Sequence, residues 1–270
     1  MSKILDARVQ GFRERPLDAS PYSYLWVDAL SMKVGEGGQI VSVVVAVASA
    51  ANKLRKREIV RFDTFTNEDT EAWTRFLRGL VERGLHGVDV VISDAHLGLK
   101  AAIDTVLAGS SWQRCQTHAM RNLLSYVPKH TQEIVATLVR SVFAQPDATA
   151  VRQQFPRVVS QLERCQFHRA AEALEECKDD LLAFTAFPKR HWRQIWRNNP
   201  QERLNREIRR RTEVVGIFPN HVSVVRLVGS VIAEQNDEWA VSRRYMTLAE
   251  LDPVPSSLDA LLLTRNKDSE

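Results

Sequence analysis

Tyr24-Leu25-Trp26-Val27-Asp28-Ala29-Leu30 sets an acid in the middle of an apolar run that reads as a buried strand. An ionised carboxylate in such a place is costly unless a cation or hydrogen-bond donors compensate it. A second apolar run, Val88 to Ser93, is continuous in the way of a strand covered on both faces, and it closes on Asp94 in Val90-Val91-Ile92-Ser93-Asp94. A third acid, Glu202, stands in Asn199-Pro200-Gln201-Glu202-Arg203-Leu204-Asn205, at the start of a helix. Two strand-borne carboxylates and one on a helix are the pattern of hard oxygen donors that a divalent-metal phosphoryl-transfer site would show in a sequence.

Each acid also has a plainer reading. With Asn199 as cap and Pro200 as the first helical residue, Glu202 falls at the third position, where a capping-box carboxylate is a complete structural explanation. Asp94 fits an ordinary cap for the segment after it. Capping does not explain Asp28 in mid-strand, and its plain alternative is a buried pair with an arginine.

Outward from these acids the periodicity changes twice. Residues 2–15 form an amphipathic helix ending before Pro16, and strands follow over 24–34, 39–48 and 58–65, the first two joined by a turn at Gly35-Glu36-Gly37-Gly38. Thr66 or Asn67 caps a helix running to about Arg83, with Trp73, Phe76, Leu77 and Leu80 at helical spacing. The strand ending at Asp94 precedes a helix over 96–107 and a short strand near 112–115. From Ala119 to Trp196 the pattern is helical only: 131–143, 147–165 with a kink expected at Pro156, 168–184 and 189–196. The helix carrying Glu202 and a last helix over 223–244 complete the chain. The expected division is an N-terminal helix and linker (1–20), the first part of a core (21–118), a helical insertion (119–197), the completing core helices (198–246) and a tail (247–270).

A chain of 270 residues, 44% of them hydrophobic, can bury one substantial core with room for a smaller unit inside it. Its longest apolar run, Ile40 to Ala51, is shorter than the roughly 20 residues a membrane span needs, and the first residues are too polar for a signal peptide. Three widely spaced cysteines point to a reducing cytoplasm rather than a disulfide framework. The net charge of +4 is unevenly spread: 187–211 carries nine bases against two acids, which leaves the remainder at −3. Such a block is either a solvated helix face or a nucleic-acid surface, and the interleaved Trp192 and Trp196 favour the second.

The order of elements is that of an RNase H-like core, an α/β fold with a mixed sheet, flanking helices and an all-helical insertion before the Glu-bearing helix. The strings Trp26-Val27-Asp28-Ala29, Ile92-Ser93-Asp94-Ala95-His96, Trp112-Gln113-Arg114-Cys115-Gln116-Thr117-His118 and the long run from Glu202 to Asn220 closely resemble the bacterial mutator-type transposases of insertion sequences. The resemblance covers nearly the whole chain. It implies that Asp28, Asp94 and Glu202 are a catalytic Asp-Asp-Glu triad holding two Mg²⁺ or Mn²⁺ ions, for metal-dependent DNA strand cleavage and strand transfer. The implied partners are double-stranded DNA, as transposon ends and target, and further copies of the chain in the active complex, in a bacterial cytoplasm and associated with the nucleoid. Family members usually carry an N-terminal region that recognises terminal repeats. This chain starts just ahead of the core, so that region is expected to be lacking; the alternative function is a truncated, non-catalytic DNA-binding or regulatory fragment.

On the Glu202 helix, Asn205, Arg206 and Arg209 lie on the Glu202 face and Arg203 and Arg210 to its sides; with Arg211 they are the expected DNA contacts, the plain reading of each arginine being a surface ion pair. Cys115 and His118, and again Cys165 and His168, have a spacing that metal ligands can have. The first pair matches a Cys-x-x-His feature of the mutator family, and His118 is expected beside the active site, touching DNA or supporting a carboxylate, or else is simply a hydrogen-bonded histidine at the end of the core strand. His96 has the same two readings. Zinc is not expected.

Overall fold

The computed structural model describes residues 2–52, 56–197 and 199–241. The elements run α1 (Ser2–Glu14), β1 (Tyr22–Glu36), β2 (Gln39–Asn52), β3 (Arg57–Phe65), α2 (Thr70–Val81), β4 (Val90–Ser93), α3 (Leu97–Val106), β5 (Ser111–Arg114), α4 (Gln116–Ser125), α5 (Gln132–Phe143), α6 (Ala148–Arg164), α7 (His168–Glu176), α8 (Lys178–Leu182), α9 (Trp192–Ile195), α10 (Asn199–Thr212), β6 (Ile217–Phe218) and α11 (His221–Val241). The six strands form one mixed sheet in the order β3-β2-β1-β4-β5, with β6 beside the far end of β1. β1, β2 and β3 are antiparallel neighbours, whereas β4, β5 and β6 join in parallel.

Alternation along β1 assigns its side chains to three apolar clusters. Leu25 and Val27 face Trp73, Phe76 and Leu77 of α2 and Leu99 and Ile103 of α3. On the other face, Tyr24 and Trp26 join Ile92 and the helices between β5 and α10, through residues such as Val139, Phe155, Phe184 and Trp192. Further along that same face, Leu30, Met32 and Val34 pack with Phe12 of α1, Leu204 and Ile208 of α10 and Val228 of α11. Asp28 falls between Trp26 and Leu30, at the seam between these two clusters. Partners of β4 on β1 end at Trp26 and those of β6 begin at Lys33, so among the described residues 27–32 have no strand on that edge.

Several elements depart from the sequence reading. The hairpin turns on Gly37 and Gly38 alone, both at positive φ, and its strands are correspondingly longer. Asp69, not Thr66 or Asn67, caps α2, its Oδ1 accepting from the Ala72 N–H at 2.8 Å. The expected helix 168–184 breaks at Cys177 and ends in a 3₁₀ turn at Ala183–Ala186. Pro156 lies inside the continuous α6. α4 has no counterpart in the sequence reading because its first turn is polar, and the boundary expected after His118 falls inside it. All regular elements from Gln116 to Arg197 are helical among the described residues. The tail expected at 247–270 lies outside them. No helix among the described residues is long and apolar enough to cross a membrane.

Candidate functional site

Asp28 is held by two donors: the Ala29 N–H reaches Oδ1 at 2.9 Å, and the Asn205 amide reaches Oδ2 at 2.8 Å. Among the described residues no arginine pairs with it, so the plain reading finds no support there. Burial pushes its pKa upward, His118 and the Ala29 N–H oppose that, and Asp94 and Glu202 add to it. The carboxyl of Asp28 thus lies within electrostatic reach of both other acids. Register explains the Asp94 half: Trp26 stands opposite Ile92 on parallel strands, so each acid lies two residues beyond a paired position and projects from the same face.

Asp94 does not cap the following helix. Its Oδ1 accepts the Ala95 N–H at 2.7 Å, while α3 begins at Leu97 and takes its cap from His96, whose Nδ1 accepts from Leu99 N–H at 3.3 Å. His96 also lies 4.0 Å from Glu68 and against the ring of Trp73 in α2, on the side of the sheet away from Asp28. It belongs to the α2–α3 packing, and the accessory role expected for it is not supported by this placement.

α10 brings Glu202 in. Gln201 is fully buried, its Oε1 accepting from Ser49 Oγ at 2.9 Å and its Nε2 donating to the Val47 carbonyl at 3.3 Å, which pins the start of the helix to β2. Leu204 and Ile208 continue that buried stripe. One step around, Glu202 Oε1 is shielded from solvent without a hydrogen-bond partner, as are Asn205 Oδ1 and His118 Nδ1. A shielded, unpaired carboxylate oxygen marks a place where a ligand, ion or water belongs.

The two Cys-x-x-His pairs part company. Cys115 is buried at the end of β5, its N–H bonded to the Ser93 carbonyl at 2.8 Å, and His118 one turn into α4 is buried as well. Cys115 is the leading influence raising the imidazole of His118 to about 9, against burial and with help from Asp28 and Asp94. Cys165 is exposed, and His168 starts α7 with its ring near Gln166. The first pair therefore lies beside the acids and the second at a surface turn.

Taken as they stand, the acids form an open set: among the described residues, no three His, Cys, Asp or Glu side chains close around one point. The donor set nevertheless fits a hard divalent cation in its chemistry, with carboxylates at two parallel strands and a helix, an unpaired shielded oxygen on Glu202, and a carboxyl on Asp28 whose charge is disfavoured first by burial and further by Asp94 and Glu202.

The sequence pattern of the family described as Transposase, Mutator family, matches residues 1–242. This chain belongs to the Mutator family of transposases. It is 51% identical over 258 residues to the transposase for insertion sequence element IS1081 of Mycobacterium tuberculosis, covering 96% of this chain and 62% of that protein. It is 37% identical over 243 residues to the transposase for IS406 of Burkholderia multivorans (90% and 62%), and 35% identical over 245 residues to that for IS256 in transposon Tn4001 of Staphylococcus aureus (90% and 63%). The chain thus spans less than two thirds of the length of these relatives.

Within this Mutator-family chain the six candidate DNA contacts separate into three kinds. Asn205 is turned inward onto Asp28. Arg203, Arg206 and Arg209 are exposed, and Arg209 lines an open cleft of about 500 Å³ with Ala29, Ser31 and Lys33 along the bare edge of β1. Arg210 and Arg211 are engaged elsewhere, Arg210 with Glu207 at 2.6 Å and Arg211 with Glu207 at 3.1 Å and Glu234 at 2.6 Å. Sequence reasoning missed Ser49 and Gln201. The spacing of Gln201, Leu204 and Ile208 contained the signal for Gln201, because three and four residues on a helix share a face.

Proposed function

We propose that Asp28, Asp94 and Glu202 are the Asp-Asp-Glu triad of a DNA-cleaving and strand-transferring transposase site. The observation that carries this reading is that Asp28, at a seam of the sheet, lies within electrostatic reach of both other acids, while Glu202 keeps a shielded oxygen unpaired. The order β3-β2-β1-β4-β5, antiparallel then parallel, supports an RNase H-like core, with the helices between β5 and α10 as its insertion. The names of the relatives support transposition of an insertion sequence as the process served.

The three acids would hold Mg²⁺ or Mn²⁺, and bound ions would supply the charge that activates the attacking oxygen and stabilises the leaving one. The protein's own share is positional. Asn205 fixes the rotamer of Asp28, and the Gln201–Ser49 bond fixes the phase of α10, so that Glu202 faces the strand acids. Arg206 and Arg209 are free to meet phosphates, and the bare edge of β1 leaves the carboxylates approachable. Double-stranded DNA, as element ends and target, and further copies of the chain are the proposed partners.

Incubation of the chain with duplex DNA and Mn²⁺ tests this. Cleavage that disappears in D28N is the expected result, and joining of the cut 3′ end separates a transposase from a nuclease. DNA binding without any cleavage would instead make the chain a binder.

A further inference from the structure

A groove of about 1050 Å³ opens between the α5–α6 turn and the segment that returns from the helices to α10. Among the described residues five bases line it, Arg140, Lys189, Arg190, Arg193 and Arg197, and no acid does. The return segment is built to present them. Its buried side, Trp192, Ile195 and Trp196, packs on Phe143 and Phe184, so that Lys189, Arg193 and Arg197 stay exposed on the opposite side. Arg140 is balanced by Glu133 at 2.8 Å, whereas Lys189 and Arg193 carry no ion pair among the described residues.

The groove is tied to the carboxylates through the start of α4. Gln116, the first residue of α4, lines it; the Gln116 N–H donates to the Trp196 carbonyl at 2.8 Å, and Arg197 Nε donates to Gln116 Oε1 at 3.0 Å. Two residues further along α4 is His118, which feels Asp28 and Asp94. An extended chain lying over the acids therefore has a basic path to continue into. A small anion would leave most of this volume empty, while a run of phosphates would meet successive bases.

We propose that this groove is a second DNA-backbone site, which grips the phosphates flanking the bond to be cut and is separate from the arginines of α10. This rests on the reading of the acids as a DNA-cleaving site. Its contacts are to phosphates, so they confer affinity and register but no base preference.

The test is a fluorescence-anisotropy titration of the full chain with a duplex of about 30 base pairs of arbitrary sequence, over a series of salt concentrations. K189E/R193E and the milder K189Q/R193Q are compared with wild type and with D28N, and melting curves check that each variant is folded. Loss of two phosphate contacts is expected to make the slope of log K against log salt shallower by about 1.8 in the Gln variant. D28N should bind as wild type does while failing to cleave. If folded K189Q/R193Q binds with wild-type affinity and slope while wild type still cleaves, the groove proposal fails alone. If wild type neither binds nor cleaves the duplex, the functional reading fails and the groove falls with it. Poly-glutamate competing as well as DNA, through the same residues, would overturn the assignment in favour of an acidic protein partner.

Discussion

Over its first two turns α10 directs Gln201, Glu202 and Asn205 at the sheet, and Glu202 and Asn205 each keep an oxygen shielded from water and unpaired. Over its last two turns Glu207 is saturated by Arg210 and Arg211, and Arg211 reaches on to Glu234 as well. One helix thus treats its charges in two ways. Where the fold alone uses a charge, it closes it with a partner at the surface, an arrangement worth little in stability. Where the proposed ion would be met, the geometry is fixed by a neighbour such as Gln201 and the valence is left open, which is disfavoured until an ion arrives. The same contrast separates buried Cys115 and His118 from exposed Cys165 and His168, although their spacing is identical.

The contrast breaks most visibly in catalysis. D28N keeps the shape of the side chain but removes an anionic ligand, and cleavage in a Mn²⁺-supported gel assay is expected to fall by about 1,000-fold or more, the scale for losing one preorganised electrostatic group. A folded D28N with more than a tenth of wild-type activity would end the triad assignment. Asn205 touches the ligand and not the reaction, so N205A should cost about 10- to 100-fold and shift the Mn²⁺ concentration needed for half-maximal rate upward. An unchanged Mn²⁺ requirement would reduce Asn205 to packing.

Stability should move the other way at the same position. The folded-state pKa of Asp28 is raised above its ordinary value of 3.8, so its ionisation penalises the native state fully above the raised pKa and not at all below 3.8. Metal-free D28N is therefore expected to melt higher than wild type at neutral pH, by a few degrees, with the gap closing as pH falls toward 3.8. A D28N melting point below wild type at pH 7 would mean that the carboxylate stabilises the apo fold. At the satisfied end of α10, R210A should leave both cleavage and melting nearly unchanged, within about 1 °C, because its pair with Glu207 is exposed; a large loss of activity there would place the DNA path along the whole helix.

Much of this was legible in the sequence because burial periodicity and acid placement are local. Asp28 inside an apolar run and Asp94 at the close of another are visible as strand-borne acids from the residues alone. α4 was not, since Gln116-Thr117-His118 lacks the apolar spacing of an amphipathic helix although Gln116 and His118 are both buried. Nor was His96 assignable: proximity in sequence to Asp94 set it beside the acids, whereas one turn of backbone sends it to the α2 side. β6, only Ile217 and Phe218, is defined by its pairing with Lys33 and Val34 and has no pattern of its own. The contacts of Gln201 and Asn205 span 152 and 177 residues, a separation that no local pattern encodes.

On the proposed reading, three distant carboxylates act as one site whose open valences a divalent cation completes. A Mn²⁺ titration followed by thermal melting of wild type, D28N, D94N and E202Q addresses it without reference to activity. Wild type should rise in melting temperature with Mn²⁺ concentration, following RT ln(1 + [L]/Kd), and each single substitution should remove most of that rise. No rise in wild type, or an equal rise in all four proteins, would contradict the account.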